Sequence, residues 1–424
     1  MTGGDTDDDD DDAGTGATPP SPRNEQASPG RRNLAPRTLV THPPEVPLPP
    51  GNRALVAPIY QSVKFTFDDV GDTLAHFQRR HDGFYYSRVS NPTLRQLEGM
   101  LAGLQNRDGC LLTASGVAAI AAPLIALCKG GDHVVFFAEL YQPTQKLVGR
   151  LLKRYGVRST MLSITDVDGI ERVLASTPTR VVVFESPTNP VLKVADLERI
   201  TGLARRHGAL TLLDNTLAGF HNHGQYDVDL FAHSLTKYAS GHGDVMGGAI
   251  IGEATLIDSL REDLVIIGAT LDPHAAFLVL RGMKTYFVRW EAQCRTAERV
   301  ANFLAAHPVV ERVRYPGLAS DAGHALARRQ MRDFGTLVTF DIAGGEEAGT
   351  RFAEALGLFA IAASLGSAES LVLPPALQQP RGLTAEQRRW SDIGPGTVRL
   401  SLGLEDPDDL LADLAAALSK ASTG

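Results

Sequence analysis

At 424 residues the chain is long enough for two domains, and its 43% hydrophobic and 21% charged residues are typical of a globular protein. It has no run of about 18 apolar residues, which argues against a membrane-spanning helix, and its acidic start, Asp7 to Asp12, lacks the basic and apolar regions of a signal peptide. Cys110, Cys128 and Cys294 show no paired spacing, which favours a reducing compartment over a disulfide framework. We therefore expect a cytoplasmic protein.

The negative charge is concentrated in residues 1–50. They hold nine acids against four arginines, so the remainder of the chain carries only −3 of the net −8. A body so nearly balanced provides no basic surface for nucleic acid. Residues 1–50 also contain 10 of the 25 prolines. We expect them to be disordered, because they cannot bury enough apolar surface to offset the entropy of ordering.

From Gly109 onward, short apolar runs alternate with helical stretches. Strands are predicted at 110–113, 133–137, 180–185, 209–214, 231–235 and 248–252, and helices after Gly116, around 145–154 and over 197–207. Apolar strands that alternate with helices indicate a mostly parallel sheet covered on both faces. Beyond about Arg281, a long helical pattern and an alternating segment at 336–342 indicate a smaller α+β domain.

Polar side chains follow the predicted strands, at the edge where an open α/β sheet binds its ligands. These segments are Ser115-Gly116-Val117, Glu139-Leu140-Tyr141, Glu185 to Pro190, Asp214-Asn215-Thr216 and Ser234 to Tyr238. Taken singly, each has an ordinary interpretation as a turn, a helix cap or a solvated side chain. Taken together, they supply what pyridoxal 5′-phosphate (PLP) requires.

The aldehyde of PLP needs a lysine amine, which Lys237 offers. The pyridine nitrogen needs an anion that keeps it protonated, so that the ring draws electrons from the substrate, and Asp214 can serve. Tyr141 is placed to stack on the ring. The phosphate needs helix-terminal N–H groups and hydroxyls, which are available at Gly116, Val117, Ser234 and Thr236.

Four segments carry a more specific pattern. They are Tyr86-Ser-Arg-Val-Ser-Asn-Pro-Thr93, Ser234-Leu-Thr-Lys-Tyr-Ala-Ser-Gly-His-Gly-Asp244, Ser364-Leu-Gly-Ser-Ala-Glu-Ser370 and Arg399-Leu-Ser-Leu-Gly-Leu-Glu-Asp406. In this order they resemble the motifs of the Cys/Met-metabolism PLP-dependent enzymes, the transsulfuration family. The resemblance runs from about Ala57 to the C-terminus. It implies an α/β fold of the type-I PLP-dependent transferase class, with a mostly parallel sheet flanked by helices and a smaller α+β C-terminal domain.

The resemblance also implies roles for individual residues. Lys237 holds the cofactor and then moves protons on the substrate, and Tyr141 stacks on the ring and takes part in proton transfer. The cofactor-binding residues implied are Tyr86, Arg88, Gly116, Val117, Tyr141, Asp214, Thr216, Ser234, Thr236 and Lys237. Of these, Tyr86 and Arg88 resemble residues that reach the phosphate of a neighbouring subunit. The substrate-binding residues implied are Asn189, Ser364 and Arg399, and a planar guanidinium suits a carboxylate bidentately.

The expected organisation is an acidic, Pro-rich tail at 1–50, an arm at 51–87 that contacts a neighbouring subunit, a large PLP-binding domain at 88–280 and a C-terminal α+β domain at 281–424. The resemblance implies a homotetramer, a dimer of active dimers, that acts on a small amino acid. Neither nucleic acid nor membrane is expected as a partner. No metal site is expected, because the pair His221 and His223 lacks a third ligand at a usual spacing.

The expected reaction is γ-elimination on a methionine- or cystathionine-type L-amino acid, giving 2-oxobutanoate, ammonia and a thiol. The segment from Tyr60 to Tyr86 is similar to methionine γ-lyase, and Ala363 stands where cystathionine-handling members often carry glutamate. Two alternatives stay open: γ-replacement of an O-acylhomoserine by cysteine, as in cystathionine γ-synthase, and β-elimination, as in cystathionine β-lyase. A binding protein that has lost turnover is disfavoured, because four residues are retained together: Lys237, Asp214, Tyr141 and Arg399.

Overall fold

The computed structural model describes residues 48–78, 80, 83–379 and 382–421. The chain divides into two units, Met1–Val56 and Ala57–Gly424. Most of the predicted disordered tail, residues 1–47, lies outside the described residues, and its disorder stays a prediction. The functional residues named above all belong to the second unit.

The second unit contains, within the described residues, a sheet of seven strands. They are β1 (Gly109–Thr113), β2 (His133–Phe137), β3 (Arg158–Leu162), β4 (Val181–Glu185), β5 (Leu210–Asp214), β6 (Leu230–Ser234) and β7 (Gly248–Gly252). Their order across the sheet is β1-β7-β6-β5-β4-β2-β3. Strands β2 to β6 pair in parallel, whereas β7 is antiparallel to both of its neighbours. The predicted mostly parallel sheet is confirmed.

The burial of each strand explains whether it can be predicted from the sequence. All residues of β2 and β4 are buried, which produces the continuous apolar runs of a parallel sheet covered on both faces. The edge strand β3 was not predicted, because its sequence Arg-Ser-Thr-Met-Leu is half-buried at most and carries no such run. Within this sheet, β3 gains its structure from the parallel ladder to β2 rather than from a pattern of its own.

Helices connect and cover these strands. They are α1 (Val70–Phe77), α2 (Pro92–Leu104), α3 (Gly116–Leu127), α4 (Gln142–Lys146), α5 (Val167–Ser176), α6 (Leu197–Arg206), α7 (Ala254–Ile267) and α8 (Pro273–Met283). The single helix expected at 145–154 is instead the end of α4 followed by a π-helical turn, Leu147–Leu151, and a 3₁₀ turn, Leu152–Tyr155. Gly156 ends this stretch in the left-handed conformation, at φ +80°.

A second sheet follows the long helix α9 (Tyr286–Ala305). Its strands are β8 (Val310–Arg314), β9 (Leu337–Ile342), β10 (Ala360–Ile361), β11 (Leu371–Leu373) and β12 (Thr397–Ser401), in the order β10-β11-β12-β9-β8. The accompanying helices are α10 (His324–Gln330), α11 (Gly345–Ala355), α12 (Ala385–Ser391) and α13 (Pro407–Ala421). The second sheet and its helices match the α+β character predicted for the end of the chain.

Each sheet has its own apolar core. Phe184 and Leu212 are fully buried in the first, and Phe340 packs edge-on against Phe352 in the second, with ring centroids 5.4 Å apart. The domain boundaries at 88 and 281 stay a prediction. None of the described helices combines the length and the hydrophobicity needed to cross a membrane.

Candidate active site

The carboxyl ends of the parallel strands converge on a cavity of about 500 Å³. Such a volume suits a small organic ligand. Most of the residues that the sequence singles out line it: Gly116, Val117, Tyr141, Asn189, Asp214, Thr216, Ser234, Thr236, Lys237, Ser364 and Arg399. The exceptions are Tyr86 and Arg88, which do not line it. Arg88 lies over the ring of Tyr86, 5.2 Å from its centroid, and donates to the carbonyl of Val265 at 3.3 Å.

Lys237 follows the end of β6 and extends into the cavity. Its Nζ donates to Ser364 Oγ, 2.9 Å away. Burial lowers the pKa of Lys237 below its usual value, and the nearby guanidinium of Arg399 lowers it further. More of the amine is therefore neutral at physiological pH than for an exposed lysine, and the neutral amine is the form that attacks an aldehyde or accepts a proton.

Asp214 ends β5 and is held by its own neighbour. Its Oδ1 accepts from the backbone N–H of Thr216 at 3.1 Å and from its hydroxyl at 2.6 Å. Burial raises the pKa of Asp214, while the two bonds from Thr216 lower it. Thr216 Oγ1 in turn accepts from the backbone N–H of Ser234, 2.9 Å away. A protonated pyridine nitrogen would supply the positive charge that favours the ionised carboxylate.

The start of α3 forms an anion cradle beside these groups. Ser115 caps the helix by accepting from Ala118 N at 3.2 Å. Gly116 and Val117 lie in the first turn, where N–H groups have no intrahelical acceptor. A Cβ at Gly116 would come within 2.6 Å of the Cβ of Ser234, so only glycine allows this close approach. Helix N–H groups and the hydroxyls of Ser234 and Thr236 match the needs of a phosphate.

Arg399 enters the cavity from the middle of the second sheet, on β12. It is 4% exposed, and its Nη1 donates to Asn189 Oδ1 at 2.8 Å and its Nη2 to Ser364 O at 2.6 Å. Both acceptors are neutral, and its Nε has no hydrogen-bond partner among the described residues. Burial lowers the pKa of Arg399 to about 10, so the guanidinium stays charged at neutral pH. A cation with neutral acceptors is a ready site for a carboxylate.

Glu185, at the end of β4, is a site residue whose role is not predicted from the sequence. Its Oε2 accepts from Tyr141 N at 2.9 Å and its Oε1 from Asn189 N at 3.0 Å. The carboxylate thereby fixes the backbone of two residues that line the cavity. Burial and the neighbouring Asp214 raise the pKa of Glu185 well above its usual value. Its place at the end of an apolar strand is the one sequence feature that could indicate a role in the site, and that feature is equally typical of an ordinary turn residue.

Three features of the cavity fit PLP: a lysine with a lowered pKa, a buried carboxylate on the adjoining strand and a helix N-terminus that can bind a phosphate. Arg399 fits the carboxylate of an amino acid. The fold and the cavity therefore define a PLP-dependent enzyme. The comparison with known families agrees: the model of the Cys/Met metabolism PLP-dependent enzymes matches residues 38–419. The chain belongs to this family.

Relatives within the family cover most of the chain. It is 43% identical to the L-methionine gamma-lyase of Pseudomonas putida over 372 residues, which is 86% of this chain and 92% of the relative. It is 36% identical to the chloroplastic cystathionine gamma-synthase 1 of Arabidopsis thaliana, over 86% of this chain and 65% of that protein. The crystal structure of cystathionine gamma synthase from Xanthomonas oryzae pv. oryzae superposes with a TM-score of 0.82 at 36% identity, covering 87% and 94% of the two chains.

The contacts of Thr216 predict how it supports the cofactor. Thr216→Val should raise the dissociation constant for PLP about tenfold, roughly 1.4 kcal/mol, because Asp214 loses a charge-assisted hydrogen bond. Since that bond favours the ionised carboxylate, its loss should raise the pKa of Asp214 further, and PLP affinity should then fall at a higher pH as the solution is acidified. Titration of the apoenzyme with PLP across a pH series measures both effects.

Thr216→Ser is the matched control, since it keeps the hydroxyl and should bind PLP nearly as the unaltered protein does. Equal affinity in Thr216→Val and the unaltered protein at every pH would contradict the role given to this contact.

Proposed function

We propose that this enzyme cleaves the carbon–sulfur bond at the γ position of methionine- or cystathionine-type L-amino acids. With one water, L-methionine would give 2-oxobutanoate, ammonia and methanethiol. The observation that carries the proposal is the electrostatic character of the cavity. Among its described lining residues, Lys237 is assigned to the cofactor, and Arg399, a buried cation with neutral hydrogen-bond acceptors, is available to the α-carboxylate. The apolar part of the lining includes Val191, Leu373, Leu377 and Ile393.

The carboxylates that line the cavity are already engaged. Glu139 pairs with Lys193, Glu185 binds two backbone N–H groups, and Asp214 accepts from Thr216. Ala363, in the same lining, adds no charge. The outer cavity therefore suits an uncharged thioether better than a distal ammonium, which would be costly to bury without an anion. The names of the Pseudomonas putida and Fusobacterium nucleatum relatives, both L-methionine gamma-lyases, support the same choice.

Each residue has a part in this reaction. PLP, when bound, supplies an electron-accepting ring that stabilises negative charge at the α carbon of the substrate. Arg399 and Asn189 hold the substrate carboxylate and so fix the orientation of its Cα–H bond. Lys237, with its lowered pKa, accepts the α proton and returns a proton to a neighbouring carbon. Tyr141 lines the cavity, its backbone N–H is held by Glu185, and in this proposal its hydroxyl protonates the leaving sulfur.

The assembly belongs to the same proposal. Tyr86 and Arg88 lie outside the cavity of their own chain, which supports the view that they serve the phosphate of a neighbouring subunit. We expect a homotetramer built from two active dimers, with Tyr86 and Arg88 of one protomer completing the site of its partner. The sparse, unpaired cysteines support a cytoplasmic location.

Product analysis tests the reaction directly. The purified holoenzyme should release equal amounts of 2-oxobutanoate, ammonia and methanethiol from L-methionine, and Lys237→Ala should not.

The competing function is γ-replacement, supported by the structural match to a cystathionine gamma synthase. Incubation with O-acylhomoserine plus cysteine decides between them by mass spectrometry of the products. Predominant formation of cystathionine, with little 2-oxobutanoate, would make γ-replacement the function.

Ala363 sets the preference between substrates. Ala363→Glu should improve kcat/KM for cystathionine relative to methionine by about 1–2 kcal/mol, because the new carboxylate can accept a charge-assisted hydrogen bond from the distal ammonium. The matched control is Ala363→Gln, which has the same shape without the charge and should shift the ratio less. A ratio that does not change in Ala363→Glu would exclude Ala363 as the specificity position.

Sharing of active sites is tested by complementation. Neither Arg88→Ala nor Lys237→Ala homomers should be active, but co-expression of the two chains should give mixed dimers with one intact site, since the lysine and the arginine of that site come from different chains. Activity is measured on mixed dimers purified through two different tags. Mixed dimers no more active than either parent would show that Arg88 does not act across the interface.

A further inference from the structure

Lys193 joins two parts of the cavity wall. It lies in the loop after β4, four residues beyond Asn189, and its side chain is 20% exposed. Its Nζ donates to Glu139 Oε1 at 3.0 Å and to the backbone carbonyl of Trp390 at 2.6 Å. Glu139 follows β2 in the first sheet, whereas Trp390 belongs to α12, which accompanies the second. One ammonium thus connects segments that are remote in sequence.

Glu139 is a buried, fully engaged carboxylate. Its side chain is inaccessible to solvent, and besides Lys193 it accepts from Ser163 Oγ at 2.8 Å and from Ile164 N at 3.1 Å. It lies two residues before Tyr141 and lines the cavity. Besides Lys193, two further donors fix this buried carboxylate, so Glu139 has a defined position from which it orients the ammonium of Lys193.

Trp390 begins the segment 390–393, whose Ser391 and Ile393 both line the cavity. The carbonyl of Trp390 lies in the last turn of α12, where carbonyl groups lack intrahelical donors, and Lys193 supplies one. Between the two lining residues, Asp392 adopts the left-handed conformation, at φ +56°, and binds Arg312 Nη2 at 2.8 Å and Arg314 Nε at 3.2 Å. The segment is therefore fastened to the second sheet through Asp392 and to the first through Lys193.

We propose that Lys193 is a positioning residue that sets the outer wall of the active-site cavity, because its contacts with Glu139 and the Trp390 carbonyl hold segment 390–393 against the strand ends that carry Tyr141 and Asn189. Lys193 does not line the cavity, so it acts through the segment that it holds. The proposal rests on the proposed function and adds that Ser391 and Ile393 of this segment, which line the cavity, contact the part of the substrate beyond the reacting carbons.

Hydrogen exchange on the holoenzyme tests the anchor without any substrate. In Lys193→Met, backbone amides of residues 385–396 should exchange at least about tenfold faster, because the tie to the first sheet is lost while Arg312 and Arg314 still hold Asp392. Lys193→Arg keeps a donor for both oxygens and should restore slow exchange. Lys153→Met, the same substitution at an exposed lysine, should leave these amides unchanged.

Steady-state kinetics with L-methionine give the second readout. A wall that binds the substrate away from the reacting carbons stabilises the ground and transition states equally, so under this proposal Lys193→Met should raise KM about five- to tenfold and change kcat less than about twofold. Lys193→Arg should return KM towards the original value. The cofactor absorption spectrum and PLP content should be the same in all variants, because Lys193 contacts none of the residues assigned to PLP.

The outcomes separate the two proposals. Unchanged exchange at 385–396 and unchanged KM in Lys193→Met would overturn the positioning role. Faster exchange throughout the chain with loss of PLP would also overturn it, since it would show a general role in folding. If the unaltered enzyme does not turn over L-methionine, the proposed function fails, while the exchange comparison still decides the role of Lys193.

Discussion

The cavity depends on one buried positive charge, the guanidinium of Arg399. Removing such a group from water is costly, and the protein offsets this cost with neutral acceptors, Asn189 Oδ1 and Ser364 O, rather than with a carboxylate. The charge therefore stays available to a substrate carboxylate. It also acts at short range on the rest of the site, because it contributes to the lowered pKa of Lys237. Substrate binding would neutralise Arg399 and so change the electrostatic surroundings of the lysine that must accept a proton.

Two chains of contacts spread from that guanidinium. One passes through Ser364, whose carbonyl binds Arg399 and whose hydroxyl accepts from Lys237. The other passes through Asn189, whose backbone is held by Glu185, and Glu185 also holds Tyr141. The group that binds the substrate is thus linked to the groups that move protons through fixed hydrogen bonds. Displacement of Arg399 would disturb both sides of the reaction, which is why its position in the centre of the second sheet, on β12, matters.

The sequence predicted those parts of the structure that have a local cause. Strands β2 and β4 are buried on both faces and give apolar runs, and the residues after them are brought to one edge by parallel pairing alone. The sequence did not reveal β3, whose residues are largely polar, or the antiparallel direction of β7, because direction is set by pairing and not by pattern. The sequence also did not reveal the breaks after α4, because the apolar residues of the π- and 3₁₀-turns, among them Leu147, Leu151 and Leu152, keep the spacing of an α-helix.

Contacts between segments that are distant in sequence limit how much of the site can be predicted from the sequence. Few side chains other than lysine and aspartate can perform the roles of Lys237 and Asp214, so these two roles can be inferred from residue type. One of the two partners of Lys193 is a backbone carbonyl 197 residues away, and no side-chain pattern marks an acceptor of that kind. This has a consequence for specificity. In a wall held through a carbonyl and through Asp392, the side chain of Ile393 takes no part in these anchoring contacts and can differ without loss of the anchor. One fold can therefore keep the same cofactor site while the residues of this wall vary. Enzymes that begin with the same chemistry at the α carbon can then accept different substrate groups beyond it.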